Sequence, residues 1–463
     1  MIRMRLSEAA AALGVRVSGG DQEFAGCSTD TRSIRRGALF VALRGPNFNG
    51  HQFLQRARDG GAVAAMVDQK SDGVLPSIKV TDTRRGLGRL AGVWRERFTL
   101  PVVGVTGSNG KTTVKEMLAA ILRRQGPTLA TRGNLNNEIG VPLTLLRLGK
   151  RHRAAVVEMG ASQPGEVGWL TQMAHPTVGV ITQCSAAHLA GFQSIEGIAR
   201  SKGELLENLD PGGTAVINAD DPHAELWRRL AGERSCLSFG LRRPADVTAN
   251  WRNTDDGIDV FFRTPSGQFD AHLDLLGRHN VVNAMAAVTV AVALGIPESA
   301  IIEGLARVRP VPGRLNLRPA SGCKRLVDDS YNANPESLRA GLQVLARYPG
   351  RRWLVLGDMA ELGIDAAMFH RRAGELARRY GIERLYAAGP LTRHAVETFG
   401  EGGRHFKNVR ALLDVLSGQD AAEVSILVKG SRSMSMDKVS KALVGNAADP
   451  EPNQSRLGKS TEA

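Results

Sequence analysis

The stretch 104-GVTGSNGKTTVKEML-118 decides the fold, because it places a glycine-rich loop between an apolar run and a helical pattern. The run 100-LPVVGV-105 is typical of a buried strand, and the apolar residues after Lys111 recur at helical spacing. Such a loop opens onto a helix N-terminus, where free backbone N–H groups attract phosphate oxygens. The sequence therefore predicts a phosphate-binding loop, although Val105 stands where the pattern G-x-x-x-x-G-K-[ST] has its first glycine.

Each residue type in this loop has a chemical use. Gly107 and Gly110 allow the backbone to curve around phosphate oxygens. Lys111 is expected to reach the β- and γ-phosphates, and the Thr112 hydroxyl is expected to bind Mg²⁺. The nucleotide contacts predicted for the whole loop are Gly107, Ser108, Asn109, Gly110, Lys111, Thr112 and Thr113. A glycine-rich turn without a ligand is the alternative, and G-K-T-T in this context favours phosphate.

Composition limits the class of protein. With 463 residues the chain is too long for one core, which predicts two to four domains. Hydrophobic residues make up 42% and charged residues 23%, as in ordinary globular proteins. The longest apolar run, 284-AMAAVTVAVALGI-296, is too short to span a bilayer, and Glu8 interrupts any apolar leader. We expect a cytoplasmic enzyme without membrane insertion. Neither a disulfide framework nor a metal-spaced pair is implied by the scattered cysteines, Cys27, Cys184, Cys236 and Cys323.

The net charge of +14 has two interpretations. Clustered Lys and Arg would neutralise the phosphates of a nucleic acid. A basic surface also suits a protein whose ligands are small anions. Aromatic residues are only 5% of the chain, so there is little on which bases could stack, and the arginines are spread along the sequence. The composition therefore favours small anionic ligands and no nucleic acid.

Three blocks follow one another along the chain. Residues 1–98 contain short strand-like runs separated by Gly and Asp turns. Residues 99–312 alternate apolar strands with helical patterns, which predicts βαβ units around a parallel sheet. The Pro- and Gly-rich stretch 308-VRPVPGR-314 is a predicted linker to another α/β block, residues 313–445. The polar segment 446–463 is expected to be a disordered tail.

Charged side chains follow the predicted central strands where those strands end. Glu158 ends the strand 154-AAVVE-158 and is well placed to hold Mg²⁺ beside the loop, with a turn-capping carboxylate as the alternative. A lone histidine is usually structural, but His188 follows the strand 178-VGVIT-182 at the same predicted edge, which strengthens the case for a functional role. By its pattern alone, Lys202 is a solvated lysine on the next helix.

Two asparagines open a later apolar helix within 277-GRHNVVNAMAAVTVAVAL-294. Asn280 and Asn283 could contact an adenine edge, because an amide can pair with it through two hydrogen bonds. Asn280 could equally cap the helix. The spacing leaves both interpretations open.

Taken together, these segments resemble the Mur ligase family of ATP-dependent amide-bond ligases. The loop T-G-S-N-G-K-T-T is similar to that family's phosphate loop, whose Thr-Gly start accounts for Val105. Within the family, the combination of Asp-Ser-Tyr-Asn-Ala-Asn-Pro with Lys-Gly-Ser-Arg-Ser-Met resembles the member that joins D-alanyl-D-alanine to UDP-N-acetylmuramoyl-tripeptide. Further matching stretches, which leave out only the tail, are 28-STDTRSIRRGALFVALRG-45, 48-FNGHQF-53, 133-GNLNNEIGVPLTLL-146, 158-EMGASQPGEV-167, 187-AHLAGF-192, 278-RHNVVNA-284, 328-DDSYNANPES-337, 357-GDMAELG-363 and 429-KGSRSMSM-436.

The resemblance implies an α/β protein of three domains. These are a small N-terminal α/β domain for the UDP-sugar at 1–98, a central P-loop ATPase domain with a parallel sheet at 99–312, and a C-terminal Rossmann-like domain at 313–445. It also implies a monomer that uses ATP and two Mg²⁺ ions. The implied reaction passes through an acyl phosphate, in cytoplasmic synthesis of the peptidoglycan precursor.

The resemblance also implies roles for individual residues. Lys202 corresponds to a family lysine that is often carbamylated, which would turn a cation into a carboxylate-like metal ligand. The implied catalytic residues are Lys111, Glu158, His188 and Lys202, and the implied metal ligands are Thr112, Glu158, His188 and Lys202. Beyond the loop, the implied nucleotide contacts are Asn280, Asn283, Arg314, Asp329, Tyr331 and Asn332. The implied substrate contacts are Ser28, Thr29, Asp30, Arg32, Asn134, Asn136 and Asn137.

Two positions depart from the family pattern, and other functions fit parts of the sequence. Gln183 stands where Asn is expected before His188, and Asn49 stands where Asp is more usual.

A sister ligase that adds a single amino acid and a folylpolyglutamate synthase are the alternative enzymes, and the N-terminal block argues against the folate enzyme. A nucleic-acid-dependent ATPase or a nucleotide switch without catalysis would also use the loop.

Overall fold

The computed structural model describes residues 1–70, 73–186, 189–254 and 257–445. These residues form two compact units, the first mainly between Met1 and Val308 and the second mainly from Arg309 onward. Two predictions, the role of His188 and the disordered tail 446–463, lie outside the described residues.

The N-terminal part of the first unit is a small α/β layer. Its main sheet has the order β2-β9-β8-β5-β4, with β2 antiparallel to β9 and the other pairs parallel. The strands are β1 Arg3–Arg5, β2 Val17–Ser18, β3 Glu23–Ala25, β4 Cys27–Ser28, β5 Leu39–Val41, β6 Arg44–Gly45, β7 Phe48–Asn49, β8 Ala64–Val67 and β9 Ser77–Lys79. The helices are α1 Leu6–Leu13, α2 Leu54–Asp59 and α3 Thr83–Arg95, with a 3₁₀ turn at Gly50–Phe53.

The central part of the first unit contains a parallel sheet of six strands in the order β11-β12-β10-β13-β14-β15. An antiparallel sheet, β16-β17-β18, follows it in the chain and was not predicted. The strands are β10 Val102–Thr106, β11 Thr128–Ala130, β12 Ala154–Glu158, β13 Val178–Ile181, β14 Thr214–Asn218, β15 Ser235–Phe239, β16 Thr248–Asn253, β17 Ile258–Thr264 and β18 Gly267–Leu273. The helices are α4 Lys111–Leu122, α5 Gly140–Leu145, α6 Glu166–Ala174, α7 Leu189–Phe192, α8 Ile195–Glu207, α9 Ala224–Ala231, α10 Arg278–Ala293 and α11 Glu298–Leu305.

The second unit contains another sheet of six strands, in the order β19-β20-β24-β21-β22-β23, parallel except for the edge strand β19. The strands are β19 Asn316–Arg318, β20 Arg325–Asp329, β21 Arg351–Gly357, β22 Arg384–Ala388, β23 Gly403–Phe406 and β24 Val424–Lys429. The helices are α12 Pro335–Leu345, α13 Ala366–Arg379, α14 Arg393–Phe399, α15 Val409–Leu416 and α16 Asp437–Val444, with 3₁₀ turns at Gly363–Asp365 and Arg432–Met434.

Burial explains why the apolar runs form parallel strands. All five residues of β10, and all five of β12, are buried, as expected for a parallel sheet covered on both faces. In the second unit, successive residues of β21 alternate between two apolar clusters: Trp353 and Val355 pack in one, Leu354 and Leu356 in the other. The sheet therefore carries a core on each face.

One apolar cluster joins the N-terminal and central parts of the first unit. It includes Ile2 and Leu39 from the N-terminal part and Leu145 and Val157 from the central part. Helix α3 strengthens the joint, because the indole nitrogen of Trp94 donates to the carbonyl oxygen of Leu148 at 3.2 Å. The predicted α/β class with a small N-terminal layer, a central parallel sheet and a C-terminal parallel sheet is confirmed. The exact domain boundaries stay predictions.

The described chain carries neither a membrane span nor a disulfide. None of its helices combines the length and apolar character needed to cross a bilayer. All four cysteines are free thiols. Burial raises the pKa of the Cys27 thiol, and of the Cys184 thiol, to about 12, so neither is a reactive thiolate near neutral pH.

Candidate functional site

The predicted phosphate-binding loop lies between β10 and α4, at the carboxyl edge of the central sheet. Val105 is fully buried inside β10 and pairs with Glu158 on one side and Val180 on the other. Position 105, where the consensus pattern has its first glycine, is thus a core position of the strand. The turn itself begins at Gly107, which explains why the pattern fails by one residue while the loop is intact.

Two glycines make the loop possible. Gly107 has a φ of 147°, and a Cβ added there would lie 1.9 Å from the hydroxyl of Thr182. Gly110 has a φ of 85°, and its added Cβ would lie 2.3 Å from the side-chain oxygen of Asn283. Backbone conformation and neighbours therefore both require glycine at these positions.

The loop also rests on the segment after β13. The side chains of Ser108 and Asn109 both contact Ser185, at 3.0 Å. The hydroxyl of Thr182 donates to the carbonyl oxygen of Asn109 at 2.6 Å. The backbone N–H of Ser108 donates to the carbonyl oxygen of Gln183 at 2.8 Å. Residue 183 is thus used through its main chain, so Gln in place of the expected Asn leaves this support intact.

Lys111 begins α4, and its ammonium folds back over the loop. Its Nζ donates to the carbonyl oxygens of Gly107 at 2.5 Å and Ser108 at 3.3 Å. An ammonium held at the rim of a helix N-terminus is available to a phosphate with a small rotation of its side chain. Helix α4 also directs the backbone N–H groups of its first turn toward the same place.

Glu158 ends β12 beside Thr112, as the sequence predicts. The carboxylate is 2% exposed, and its Oε1 accepts hydrogen bonds from the Thr112 hydroxyl at 3.2 Å and the Asn136 amide at 2.8 Å. Its backbone N–H donates to the hydroxyl of Thr131 at 3.0 Å. Within the described part of the chain, Oε2 of Glu158 is buried and has no hydrogen-bond partner.

This arrangement fits a magnesium ion. A buried, unpaired carboxylate oxygen is costly unless a cation or donor reaches it. Mg²⁺ typically takes one or two protein oxygens and completes its shell with phosphates and water. In the described ranges, no three side chains of the His, Cys, Asp and Glu types converge as a metal cluster. Glu158 and Thr112 are therefore suited to hold Mg²⁺ together with a bound triphosphate.

Lys202 is not the solvated lysine that its sequence pattern suggests by itself. It lies in the middle of α8, is 3% exposed, and its Nζ lies 6.0 Å from the ring centre of Phe192. Burial and, next, repulsion from Lys111 lower the pKa of Lys202 to about 7. A large fraction of its amine is therefore neutral near pH 7.

Asn280 and Asn283 are buried together in the first turns of α10. Asn283 donates its amide to the side-chain oxygen of Asn280 at 3.0 Å, and its own oxygen faces Gly110. The helix begins at Arg278, so Asn280 lies inside the first turn and the capping interpretation is wrong. Both amides belong to the surroundings of the phosphate loop.

A second group of predicted residues lies in the second unit, around the end of β20. The ring of Tyr331 lies near two guanidinium groups, with its centre 4.4 Å from that of Arg314 and 5.6 Å from that of Arg432. Asp329 is 7% exposed and forms an ion pair with Lys429. Burial raises the pKa of Asp329, and the Lys429 ammonium opposes that shift. Asn332 takes part through its backbone, whose carbonyl oxygen accepts from Lys429 at 3.0 Å.

The N-terminal substrate residues form a compact polar turn. Asp30 and Arg32 pair through two parallel hydrogen bonds, the shorter of 2.6 Å, and the Ser28 hydroxyl donates to the carbonyl oxygen of Asp30 at 3.0 Å. The Arg32 guanidinium lowers the pKa of Asp30 to about 2. Thr29 lies between Ser28 and Asp30 in the chain. Asn49, the second departure, caps the 3₁₀ turn by accepting from the backbone of His51 at 3.1 Å, a role that needs no charge.

The three asparagines after β11 separate into different environments. Asn136 reaches Glu158, whereas Asn137 accepts from the backbone N–H of Gly140 at 2.9 Å and fixes the start of α5. Asn134 is exposed. The structure thus places one of them at the Glu158 carboxylate and one at a helix start.

Sequence reasoning missed several residues that support the site. Asn218, at the end of β14, donates to the carbonyl oxygen of Thr182 at 2.9 Å, and Asp221 accepts from the backbone N–H of Cys184 at 2.7 Å. Both are buried. Their position just after a strand of the same parallel sheet was a usable signal, because the carboxyl ends of such strands share one edge.

Three parts of the chain match family profiles. Residues 23–93 match "Mur ligase family, catalytic domain", residues 105–291 match "Mur ligase middle domain", and residues 313–432 match "Mur ligase, glutamate ligase domain".

Named relatives cover nearly the whole chain. The UDP-N-acetylmuramoyl-tripeptide–D-alanyl-D-alanine ligase of Escherichia coli is 42% identical over 96% of this chain and 99% of its own length. The crystal structure of MurF from Acinetobacter baumannii superposes with a TM-score of 0.90 at 34% identity, covering 96% of this chain and 99% of that one. The MurF ligase of Thermotoga maritima, in complex with ADP, gives a TM-score of 0.79 at 29% identity over 90% of this chain and 96% of its own.

Proposed function

The chain belongs to the Mur ligase family, and from this premise we propose that it joins D-alanyl-D-alanine to UDP-N-acetylmuramoyl-tripeptide. It is an ATP-dependent ligase. Relatives named for this reaction match it over nearly their full length. Within the structure, one observation carries the proposal: the buried, unpaired Oε2 of Glu158 beside Thr112 at the phosphate loop.

The reaction has two steps. A terminal carboxylate oxygen of the tripeptide attacks the γ-phosphorus of ATP, the bond to the β-phosphate oxygen breaks, and ADP leaves. The α-amino group of D-alanyl-D-alanine then attacks the carbonyl carbon of the acyl phosphate. The tetrahedral intermediate loses a proton from nitrogen and expels phosphate, which leaves the amide. Because a carboxylate is a poor electrophile, the first step makes the second possible.

The chain's own task is to hold two anions together and to offset their charge. Lys111 turns its ammonium from the carbonyl oxygens of the loop to the phosphates. The first N–H groups of α4 donate to the same phosphates. Glycines at 107 and 110 keep the backbone close enough to do so, since any side chain there would meet Thr182 or Asn283.

In this proposal Thr112 and Glu158 would hold a first magnesium ion, and Glu158, His188 and Lys202 would hold a second one. Bound Mg²⁺ supplies charge neutralisation at the β- and γ-phosphates. The low pKa of Lys202 supports a carbamate on this residue, because only a neutral amine reacts with CO₂. A carbamate would also replace a cation beside Lys111 by an anion.

The remaining assignments follow the family pattern residue by residue. We assign Asn280, Asn283, Arg314, Asp329, Tyr331 and Asn332 to the nucleotide. Ser28, Thr29, Asp30 and Arg32 are assigned to the uridine nucleotide, and Asn134, Asn136 and Asn137 to the substrate carboxylates. The contact between Asn136 and Glu158 supports a link between substrate and metal ion.

We further propose a cytoplasmic monomer that acts without nucleic acid and without membrane insertion. Its soluble, nucleotide-linked substrates support the compartment. The domain boundaries proposed are 1–98, 99–312 and 313–445, with 446–463 as a tail.

Phosphate release tests the proposed function. ATP and Mg²⁺ are supplied with both substrates, with each one withheld, and with neither. We expect sustained release only when UDP-N-acetylmuramoyl-tripeptide and D-alanyl-D-alanine are both present. Release that needs neither, and that DNA or RNA stimulates, would favour the nucleic-acid-dependent ATPase. ATP binding without release under any condition would favour the nucleotide switch.

A further inference from the structure

Lys429 is a buried cation to which sequence reasoning assigned no role. It is the last residue of β24, and only 1% of its side chain is exposed. In the parallel sheet of the second unit it stands in register beside Asp329, the last residue of β20. The two residues are 100 positions apart in the chain, so this pairing exists only because β24 is inserted next to β20.

The ammonium of Lys429 connects the two strand ends. Its Nζ forms an ion pair with Oδ2 of Asp329 and donates to the carbonyl oxygen of Asn332 at 3.0 Å. Lys429 therefore fixes both the carboxylate at the end of β20 and the backbone of the loop that follows. That loop carries Tyr331, whose ring lies near the guanidinium groups of Arg314 and Arg432.

The other elements around Asp329 leave Lys429 as its dominant charged neighbour. From the segment before β19, the backbone N–H of Leu315 donates to Oδ1 at 3.2 Å, and Arg314 acts from farther away. Helix α12 faces the carboxylate with Gly341, where an added Cβ would lie 3.6 Å from Oδ2. The adjacent Asp328 is bonded elsewhere, to the hydroxyls of Ser330 and Ser440.

We propose that Lys429 is a positioning residue for the nucleotide-binding end of β20, which orients the Asp329 carboxylate and holds the Tyr331–Asn332 turn in place. The inference rests on the proposed function, since it takes Asp329 as a nucleotide contact. Lys429 acts through the Asp329 carboxylate and the backbone of Asn332 and needs no contact with the substrate.

The charges around Asp329 predict the direction in which the pH profile moves when Lys429 is replaced. Burial raises the pKa of Asp329, and the largest opposing influence is Lys429. Removing the ammonium raises that pKa further, so the carboxylate takes up a proton at a higher pH. If the ionised form binds the nucleotide, the acidic limb of the pH profile must move upward.

The test compares wild type, Lys429→Met, Asp329→Asn and the double variant in ligation assays with varied ATP and pH. For Lys429→Met we expect the KM for ATP to rise roughly 10- to 100-fold, by analogy with residues that orient metal ligands in other proteins. The acidic limb of kcat/KM for ATP should move to higher pH. Asp329→Asn should lack the acidic limb, and the double variant should lack it as well.

Unchanged KM and an unchanged acidic limb in folded Lys429→Met would overturn the inference. An acidic limb that persists in Asp329→Asn would also overturn it, because the titrating group would then not be Asp329. If Lys429→Met does not fold, the double variant is compared with Asp329→Asn instead, because the double variant removes both charges and leaves neither unpaired. Wild-type ligation is the reference: its absence defeats the proposed function, whereas unchanged variants of an active enzyme defeat only this inference.

Discussion

At the residue scale, Gly110 and Gly165 separate backbone conformation from local crowding. Both have a φ of 85°, but an added Cβ at Gly110 meets Asn283 at 2.3 Å, whereas at Gly165 it meets nothing within 4 Å. Each Gly→Ala change should cost about 1–2 kcal/mol of stability from the left-handed backbone. Only Gly110→Ala should also displace Asn283 and weaken nucleotide binding.

The measurement is the KM for ATP of both variants, alongside their urea midpoints. We expect a larger loss of stability for Gly110→Ala than for Gly165→Ala, and a rise in the KM for ATP for Gly110→Ala alone. An equal KM for the two variants would show that the contact with Asn283 does not matter for the loop.

Lys202 gives a prediction about stability and pH. Its pKa falls from 10.5 to about 7 on folding, so between these values the unfolded chain binds more protons than the folded one. The free energy of unfolding of wild type should therefore rise with pH, relative to Lys202→Met, by about 1.4 kcal/mol per pH unit above pH 7. Below pH 7 the stability of Lys202→Met exceeds that of wild type by the largest amount, because the variant no longer buries a charge.

Urea unfolding between pH 7.5 and 9.5 in CO₂-free buffer measures this slope. The exposed Lys79→Met variant is the matched control, because its side chain lies in water in both states. A wild-type stability that does not gain on Lys202→Met as pH rises would contradict the buried, neutral amine.

Single residues also show what the sequence could and could not predict. Glu158 could be predicted, since a carboxylate at the end of a buried strand lies at the edge that the loop occupies. Its contact with Asn136 could not, because that depends on how the segment after β11 folds back over β12. Lys202 illustrates the reverse case: periodicity by itself suggests a solvated side chain, and only packing shows it buried.

At the element scale, half of the motif 328-DDSYNANPES-337 is structural. Asn334 and Ser337 form a capping box at the start of α12, and Pro335 occupies the first turn. Asn334→Ala should therefore lower stability by about 1 kcal/mol. We expect little change in the KM for ATP, because the cap lies beyond Tyr331 and Asn332.

The Asn408→Ala variant is the matched control, since Asn408 caps α15 with a side-chain bond to Ala411. Thermal unfolding and ATP titration of both variants decide the point. A large rise in KM for Asn334→Ala, with little loss of stability, would move this asparagine from the helix cap to the nucleotide.

Elements differed in how readily they could be predicted. The strand β12 was predicted with its observed bounds, because its apolar run is short. The sheet β16-β17-β18 was missed. In β17 buried and exposed residues alternate over Ile258–Thr264, but the polar strand β16 gave no apolar signal to pair with it.

At the scale of the whole molecule, the second unit has a core of its own on each face of its sheet. Residues 309–445 should therefore fold without the rest of the chain. A fragment that ends at 416 should not fold, because it lacks β24, which lies between β20 and β21 in the sheet.

Circular dichroism and urea unfolding of the two fragments test this statement. We expect a cooperative transition for residues 309–445 and none for the shorter fragment. A gradual, non-cooperative loss of signal from the longer fragment would mean that its two apolar clusters are not sufficient.

The central claim is that this ligase adds a dipeptide to a UDP-muramoyl-tripeptide. The most direct measurement is the mass of the product formed from ATP, Mg²⁺ and UDP-N-acetylmuramoyl-tripeptide, with D-alanyl-D-alanine and single amino acids offered together and Lys111→Met as the inactive control. The account predicts one product, the UDP-muramoyl-pentapeptide, from wild type alone. A product extended by a single amino acid, or an equal yield of pentapeptide from Lys111→Met, would contradict it.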